Sequence, residues 1–154
     1  MDNHRYAGQV IDSSVSRVAE RNGQEARVKV GFIGLGSMGL PMAQRIQSEG
    51  HDLTVFARRP SSLEPLAGTD VSIAATPAEM GAAVDAVGIC VFDSAGVSEV
   101  LFGPEGLVQT LKTGSVVLVH STVSPSAVRK IADDAAIFGL RVLDAPVSGG
   151  SPKA

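Results

Sequence analysis

The residues best placed to do chemistry in this sequence are glycines. Gly34-Leu35-Gly36-Ser37-Met38-Gly39 spell G-x-G-x-x-G, directly after the β-branched run Val28 to Ile33 and directly before a stretch of helical spacing. In that context each glycine has a task. Gly34 permits the sharp turn out of a strand, Gly36 lets the backbone approach a pyrophosphate, and Gly39 lets the next helix pack close to a sheet. Free N–H groups and the positive end of the helix dipole then face the phosphates. Leu35, Ser37 and Met38 belong to the same loop and share the expected contact. The implied ligand is a dinucleotide.

The end of the second strand bears on which dinucleotide. A site for NAD usually has an acidic residue there, accepting hydrogen bonds from the adenosine ribose. This chain has Ala57-Arg58-Arg59-Pro60 instead. A carboxylate would repel a 2′-phosphate, whereas guanidinium groups pair with it through charge-assisted, often bidentate bonds. One such bond contributes about 1.5–3 kcal/mol, a preference of about ten- to a hundredfold. NADP is therefore the expected cofactor ahead of NAD, with Arg58 the first candidate and Arg59 the second.

These residues need a scaffold, and the pattern supplies one. Strand-like segments at 28–33, 53–56, 71–73, 86–92, 115–119 and 141–143 alternate with helix-like ones at 38–48, 76–84, 95–101 and 125–138. A brief helical piece is expected through Leu111. Pro41 is tolerated because it falls in the first helical turn, where N–H groups lack intrahelical partners. Repeated β–α alternation predicts a Rossmann-type, doubly wound α/β fold with a mainly parallel sheet covered on both faces. The cofactor domain is expected over 28–147. Before it, 1–27 reads as a tail, disordered or carrying one short helix over 12–23 between Asp12 or Ser13 and Gly23.

Composition excludes several function classes. The chain has 154 residues, 44% hydrophobic and 19% charged, with a net charge of −3. A phosphate-backbone binder needs clustered surplus cations, so no nucleic-acid partner is expected. No apolar run reaches bilayer length, and the charged start lacks the apolar stretch of a secretion signal. A cytoplasmic location without membrane contact follows as the expectation. No metal is expected. Cys90, the one cysteine, reads as a small hydrophobe, since no neighbouring His or Lys would lower its pKa.

Three stretches together resemble the β-hydroxyacid dehydrogenases. This family includes 3-hydroxyisobutyrate dehydrogenase, tartronate semialdehyde reductase, the glyoxylate/succinic semialdehyde reductases and, more distantly, 6-phosphogluconate dehydrogenase. The stretches are Gly31 to Ala43 (GFIGLGSMGLPMA), His120 to Pro125 (HSTVSP) and Asp144 to Gly150 (DAPVSGG). Their order and spacing match as well, and the similarity covers residues 28 to 154.

The resemblance implies roles position by position. Thr122 would contact the nicotinamide. Ser148, Gly149 and Gly150 would form part of the substrate pocket, and 148–154 would begin the segment between domains. Amides at a glycine turn make an anion nest suited to a carboxylate. Phe92 and Asp93 would lie beside the adenosine ribose, although proline is more usual at the position of Phe92. An acidic residue is common where His120 stands; a packed histidine is the favoured reading there over a general base. Lys153 stands where glycine is frequent.

The family's catalytic lysine lies on a long helix several tens of residues past the Ser-Gly-Gly turn, so none of the residues up to Ala154 is expected to be catalytic. The C-terminal all-α domain would likewise be missing. The implied protein is the cofactor half of an NADP-dependent oxidoreductase that moves a hydride to or from a small hydroxy acid or its semialdehyde, with little turnover alone. Its expected macromolecular partners are a helical domain or a second copy. Two other readings stay open: a non-catalytic NADP(H)-binding module, and half of an imine-type reductase.

Overall fold

The computed structural model describes residues 27–147. The expected helix over 12–23, together with Ser148, Gly149, Gly150 and Lys153, lies outside the described residues. In chain order the elements are β1 (Lys29–Ile33), α1 (Gly39–Ser48), β2 (Asp52–Phe56), a 3-10 segment (Pro60–Leu66), β3 (Ser72–Ile73) and α2 (Pro77–Ala83). They continue with β4 (Ala86–Ile89), α3 (Ser94–Phe102), a 3-10 turn (Leu107–Gln109), β5 (Val116–Val119), α4 (Pro125–Ala136) and β6 (Arg141–Asp144). All strand pairs are parallel, in the order β3-β2-β1-β4-β5-β6. The strand order reverses between β1 and β4, which is the switch point of a doubly wound Rossmann sheet and the place where such folds bind ligands.

Alternation along the strands divides the core between two faces. Ile33, Val87, Ile89, Val117 and Val119 pack on Met80 of α2, Val97, Val100 and Leu101 of α3, and Ile131 and Ala135 of α4. Phe32, Leu53 and Val55 point the other way, onto Ala43 of α1 and Leu66. Helices thus lie on both faces, as the β–α alternation predicts. The second face thins towards the far edge: Leu118 and Leu143 follow Phe32 in register, and Leu143 is 53% exposed.

Three elements differ from expectation. The 3-10 segment Pro60–Leu66 has no counterpart in the apolar pattern. Pro60 fits its first turn, while Pro65 has no N–H to give and its ring would crowd an α-helical carbonyl. Strand β4 stops at Ile89 rather than running to 92. The Val91 amide donates to Ser121 Oγ at 3.0 Å instead of to a neighbouring strand, so the chain peels away from the ladder. Helix α4 ends at Ala136, two residues early, where the chain turns through Gly139 at φ 73°.

What positions a site is the level carboxyl edge. The Cys90 amide bonds to the Ile33 carbonyl at 2.8 Å, the His120 amide to Ile89 at 2.8 Å, and the Ala145 amide to Val119 at 2.9 Å. These bonds extend the ladder by one residue past β4, β5 and β6, bringing the following loops side by side with the loop after β1.

Candidate cofactor site

A cleft of about 490 Å³ runs along that edge, a size typical of small-molecule sites. Its centre is the glycine loop, all six residues of which line it. Gly34 has φ +95°, a backbone state that side chains disfavour, and a Cβ there would collide with the Cys90 carbonyl. A Cβ on Gly39 would strike the Gly34 carbonyl oxygen, so helix α1 can start this close to the strand only without one. Gly36 is different. Nothing lies within 4 Å of where its Cβ would be, so the space beside it is open for a ligand rather than filled by protein. Leu35 is 6% exposed and anchors the loop in the core while its neighbours Gly36 and Ser37 stay exposed.

Capping separates α1 from the other helices. Thr76 accepts from the Glu79 amide, Asp93 from Gly96 and Ser124 from Ala127, closing the starts of α2, α3 and α4. No side-chain cap closes α1, which meets the cleft through the glycine loop. A cradle with clearance at Gly36 and a helix start without a side-chain cap fits a pyrophosphate.

On the β2 side the cleft is walled by Phe56, Ala57, Arg58, Arg59 and Ser62. Both arginines are exposed, and among the described residues neither forms an ion pair. The Arg59 carbonyl accepts the Ser62 amide at 3.0 Å, so the 3-10 segment holds the end of this wall. Opposite stand Val91 and Phe92 with Gly96, Glu99 and Val100 of α3. Phe92 is 96% exposed. Its neighbour Asp93 does not line the cleft; its Oδ1 accepts the Gly96 amide at 2.8 Å as the cap of α3.

The β5 end contributes His120, Ser121 and Thr122, with Val147 from beyond β6. Ser121 is buried and braces the Val91 amide, leaving exposed Thr122 to face the cleft. His120 Nδ1 donates to the Ala145 carbonyl at 2.8 Å, and its ring stacks on Phe32. The expected packed histidine is what the geometry gives. Cys90 is half-buried at the cleft floor, and burial pushes its thiol up. The structure therefore gathers Gly34 to Gly39, Arg58, Arg59, Phe92 and Thr122, and sets Asp93 aside. Ser62, Glu99 and Val100 line the cleft without a signal in the sequence; Gly96, beside the capping Asp93, could have been placed from that cap.

Known proteins share this fold. The family model of the NAD binding domain of 6-phosphogluconate dehydrogenase matches residues 29–154. The mitochondrial 3-hydroxyisobutyrate dehydrogenase of Mus musculus is 32% identical over 137 residues, 89% of this chain and 41% of that protein. The crystal structure of 3-hydroxyisobutyrate dehydrogenase from Salmonella typhimurium superposes with a TM-score of 0.75 at 36% identity, covering 82% of this chain and 44% of that one. A reductive aminase from Aspergillus terreus, in complex with NADPH and ethyl-5-oxohexanoate, gives a TM-score of 0.69 at 25% identity over 82% of this chain and 42% of that one. The chain spans less than half the length of these relatives. With its glycine cradle, its strand order and 126 residues under one family model, the chain belongs to the 6-phosphogluconate dehydrogenase NAD-binding family, the nicotinamide-dinucleotide domain of oxidoreductases related to 3-hydroxyisobutyrate dehydrogenase.

Proposed function

We propose that this domain binds NADP in preference to NAD and serves hydride transfer on a small hydroxy acid or its semialdehyde. The observation that carries the cofactor preference is the β2 wall: two exposed arginines without ion pairs among the described residues, where a ribose-binding carboxylate would stand in an NAD site. The amides of the Gly34–Gly39 loop hold the pyrophosphate, and Arg58, aided by Arg59, holds the 2′-phosphate. Phe92 covers the adenosine side from the opposite lip, and Asp93 acts through the start of α3. Thr122 orients the nicotinamide, and the Ser148, Gly149 and Gly150 turn holds the substrate carboxylate. A bound nicotinamide supplies the hydride acceptor or donor. Residues 28–147 make up the cofactor domain in this reading, with 148–154 opening the substrate segment and 1–27 taking no part in the chemistry.

The substrate reading is supported by the 32–36% identity to 3-hydroxyisobutyrate dehydrogenases. An imine-type reductase is the second reading, supported by the reductive aminase at 25% identity. A substrate panel on an enzyme carrying a full-length relative's helical domain behind this chain separates the two. The cofactor reading is tested by calorimetric titration with NADP⁺ and NAD⁺ in parallel. NADP⁺ is expected to bind about ten- to a hundredfold tighter, and Arg58→Ala to remove most of that margin. Equal affinity for the two dinucleotides would refute the preference.

A further inference from the structure

We propose that His120 is a positioning residue for the nicotinamide half of the dinucleotide. The inference rests on the cofactor reading above. With the pyrophosphate over β1 and the adenosine 2′-phosphate at Arg58 beyond β2, the strand order sends the other nucleotide towards the ends of β4 and β5. There His120, Thr122 and Val147 line the cleft.

The imidazole is held from two directions. Nδ1 lies 2.8 Å from the Ala145 carbonyl, which can only accept, so Nδ1 carries the hydrogen. The ring stacks on Phe32 with centroids 5.9 Å apart and planes at 16°. Phe32 is fully buried and reaches across β4, where a Cβ on Gly88 would sit 2.8 Å from the Phe32 ring and 3.3 Å from His120 Nε2. The absent side chain at Gly88 is thus what lets the two rings meet.

Ala145 is pinned in turn. Its amide bonds to Val119 and its carbonyl to His120, so strand β5 and the imidazole hold the peptides on either side of one residue. Two residues further on, Val147 lines the cleft. Holding Ala145 sets where that wall stands, and an ionised aspartate at position 120 would have no hydrogen to hold it with.

The test is calorimetry on the 154-residue chain with two probes, NADP⁺ and 2′,5′-ADP, which carries the adenosine half and its phosphate but no nicotinamide. His120→Ala is expected to weaken NADP⁺ about fivefold, the worth of one ordinary hydrogen bond, and to change 2′,5′-ADP less than about twofold. The unchanged 2′,5′-ADP affinity also certifies the fold. His120→Asn, whose amide places a donor near the position of Nδ1, is expected to restore NADP⁺ to within about twofold of wild type.

Equal weakening of both probes would reduce His120 to a structural residue and overturn the proposal. So would an unchanged NADP⁺ affinity, or a failure of Asn to restore it. A wild-type chain that binds 2′,5′-ADP as tightly as NADP⁺ removes the nicotinamide contact, and with it this role, while leaving the cofactor reading intact. A wild-type chain that binds neither probe sinks both.

Discussion

The two ends of the cleft are built in opposite ways. At the glycine loop the geometry is set by atoms that are missing: bare positions at Gly34 and Gly39 let a carbonyl and a helix start approach, and Gly36 leaves room for a ligand. At the β5 end it is set by side chains that are present. Ser121 ties the loop after β5 to the loop after β4, and His120 ties it to the segment after β6. The first end fails chiefly by gaining atoms and the second chiefly by losing them. That asymmetry decides which substitutions damage the fold and which damage binding alone.

The largest effect is expected within the glycine loop. In Gly39→Ala the new methyl meets the Gly34 carbonyl oxygen, which is backbone and cannot swing away, and the Phe32 ring at 3.1 Å. Overpacking of this kind costs about 1–3 kcal/mol, visible as a lower urea midpoint, and NADP⁺ binding is lost with the displaced helix start. Gly36→Ala sharpens the contrast three residues earlier. Its methyl meets no protein atom, so stability is expected to stay within about 0.5 kcal/mol of wild type. Binding of NADP⁺ is nonetheless expected to fall by about tenfold, equivalent to about 1.4 kcal/mol. Parallel unfolding and titration curves check both variants. Two variants that lose stability and affinity in the same proportion would erase the distinction.

The same asymmetry governs what could be read from sequence. A glycine admits few explanations when it stands between a β-branched run and a helical one, so the loop and its strand were legible from Val28 to Gly39, and the parallel sheet from the β–α alternation that follows. Arg58 and Arg59 drew attention because they stand where an acidic residue is usual, and both line the cleft. The tethers of the β5 end were hidden, because their partners are remote in the chain: Ser121 bonds 30 residues back and His120 25 residues forward. Local pattern carries no trace of such a pairing. It also misplaced the end of β4, where apolar residues at 91 and 92 continue a strand-like run after Ser121 has drawn the Val91 amide out of the ladder. Asp93 shows the converse. Its proximity to the cleft was foreseen, but its carboxylate closes α3.

A loss at the β5 end should be smaller than the Gly39 effect and should fall on stability first. Ser121→Ala removes the acceptor of the Val91 amide. Because Val91 is only half-buried, water can replace part of that bond, and a cost of about 1 kcal/mol is expected in urea unfolding. NADP⁺ affinity should drop by no more than about threefold, through a looser Phe92 lip. A loss of affinity as large as that of Gly36→Ala would mean that the two ends are not built on different principles.

The smallest effect joins the two ends at the cleft floor. Cys90 packs against the core cluster beneath the glycine loop and also lines the cleft, and burial raises its thiol pKa. Since only the thiolate attacks an alkylating reagent, iodoacetamide should modify Cys90 more slowly than free cysteine at the same pH. The rise of its rate with pH should also come later, because the raised pKa delays ionisation. NADP⁺ bound over the loop should slow the reaction further in wild type. In Gly36→Ala half-protection should need about tenfold more cofactor than in wild type, while the rate without cofactor stays the same. Half-protection at the same cofactor concentration in Gly36→Ala as in wild type would place the dinucleotide away from the loop, and the clearance at Gly36 would then have no part in holding it.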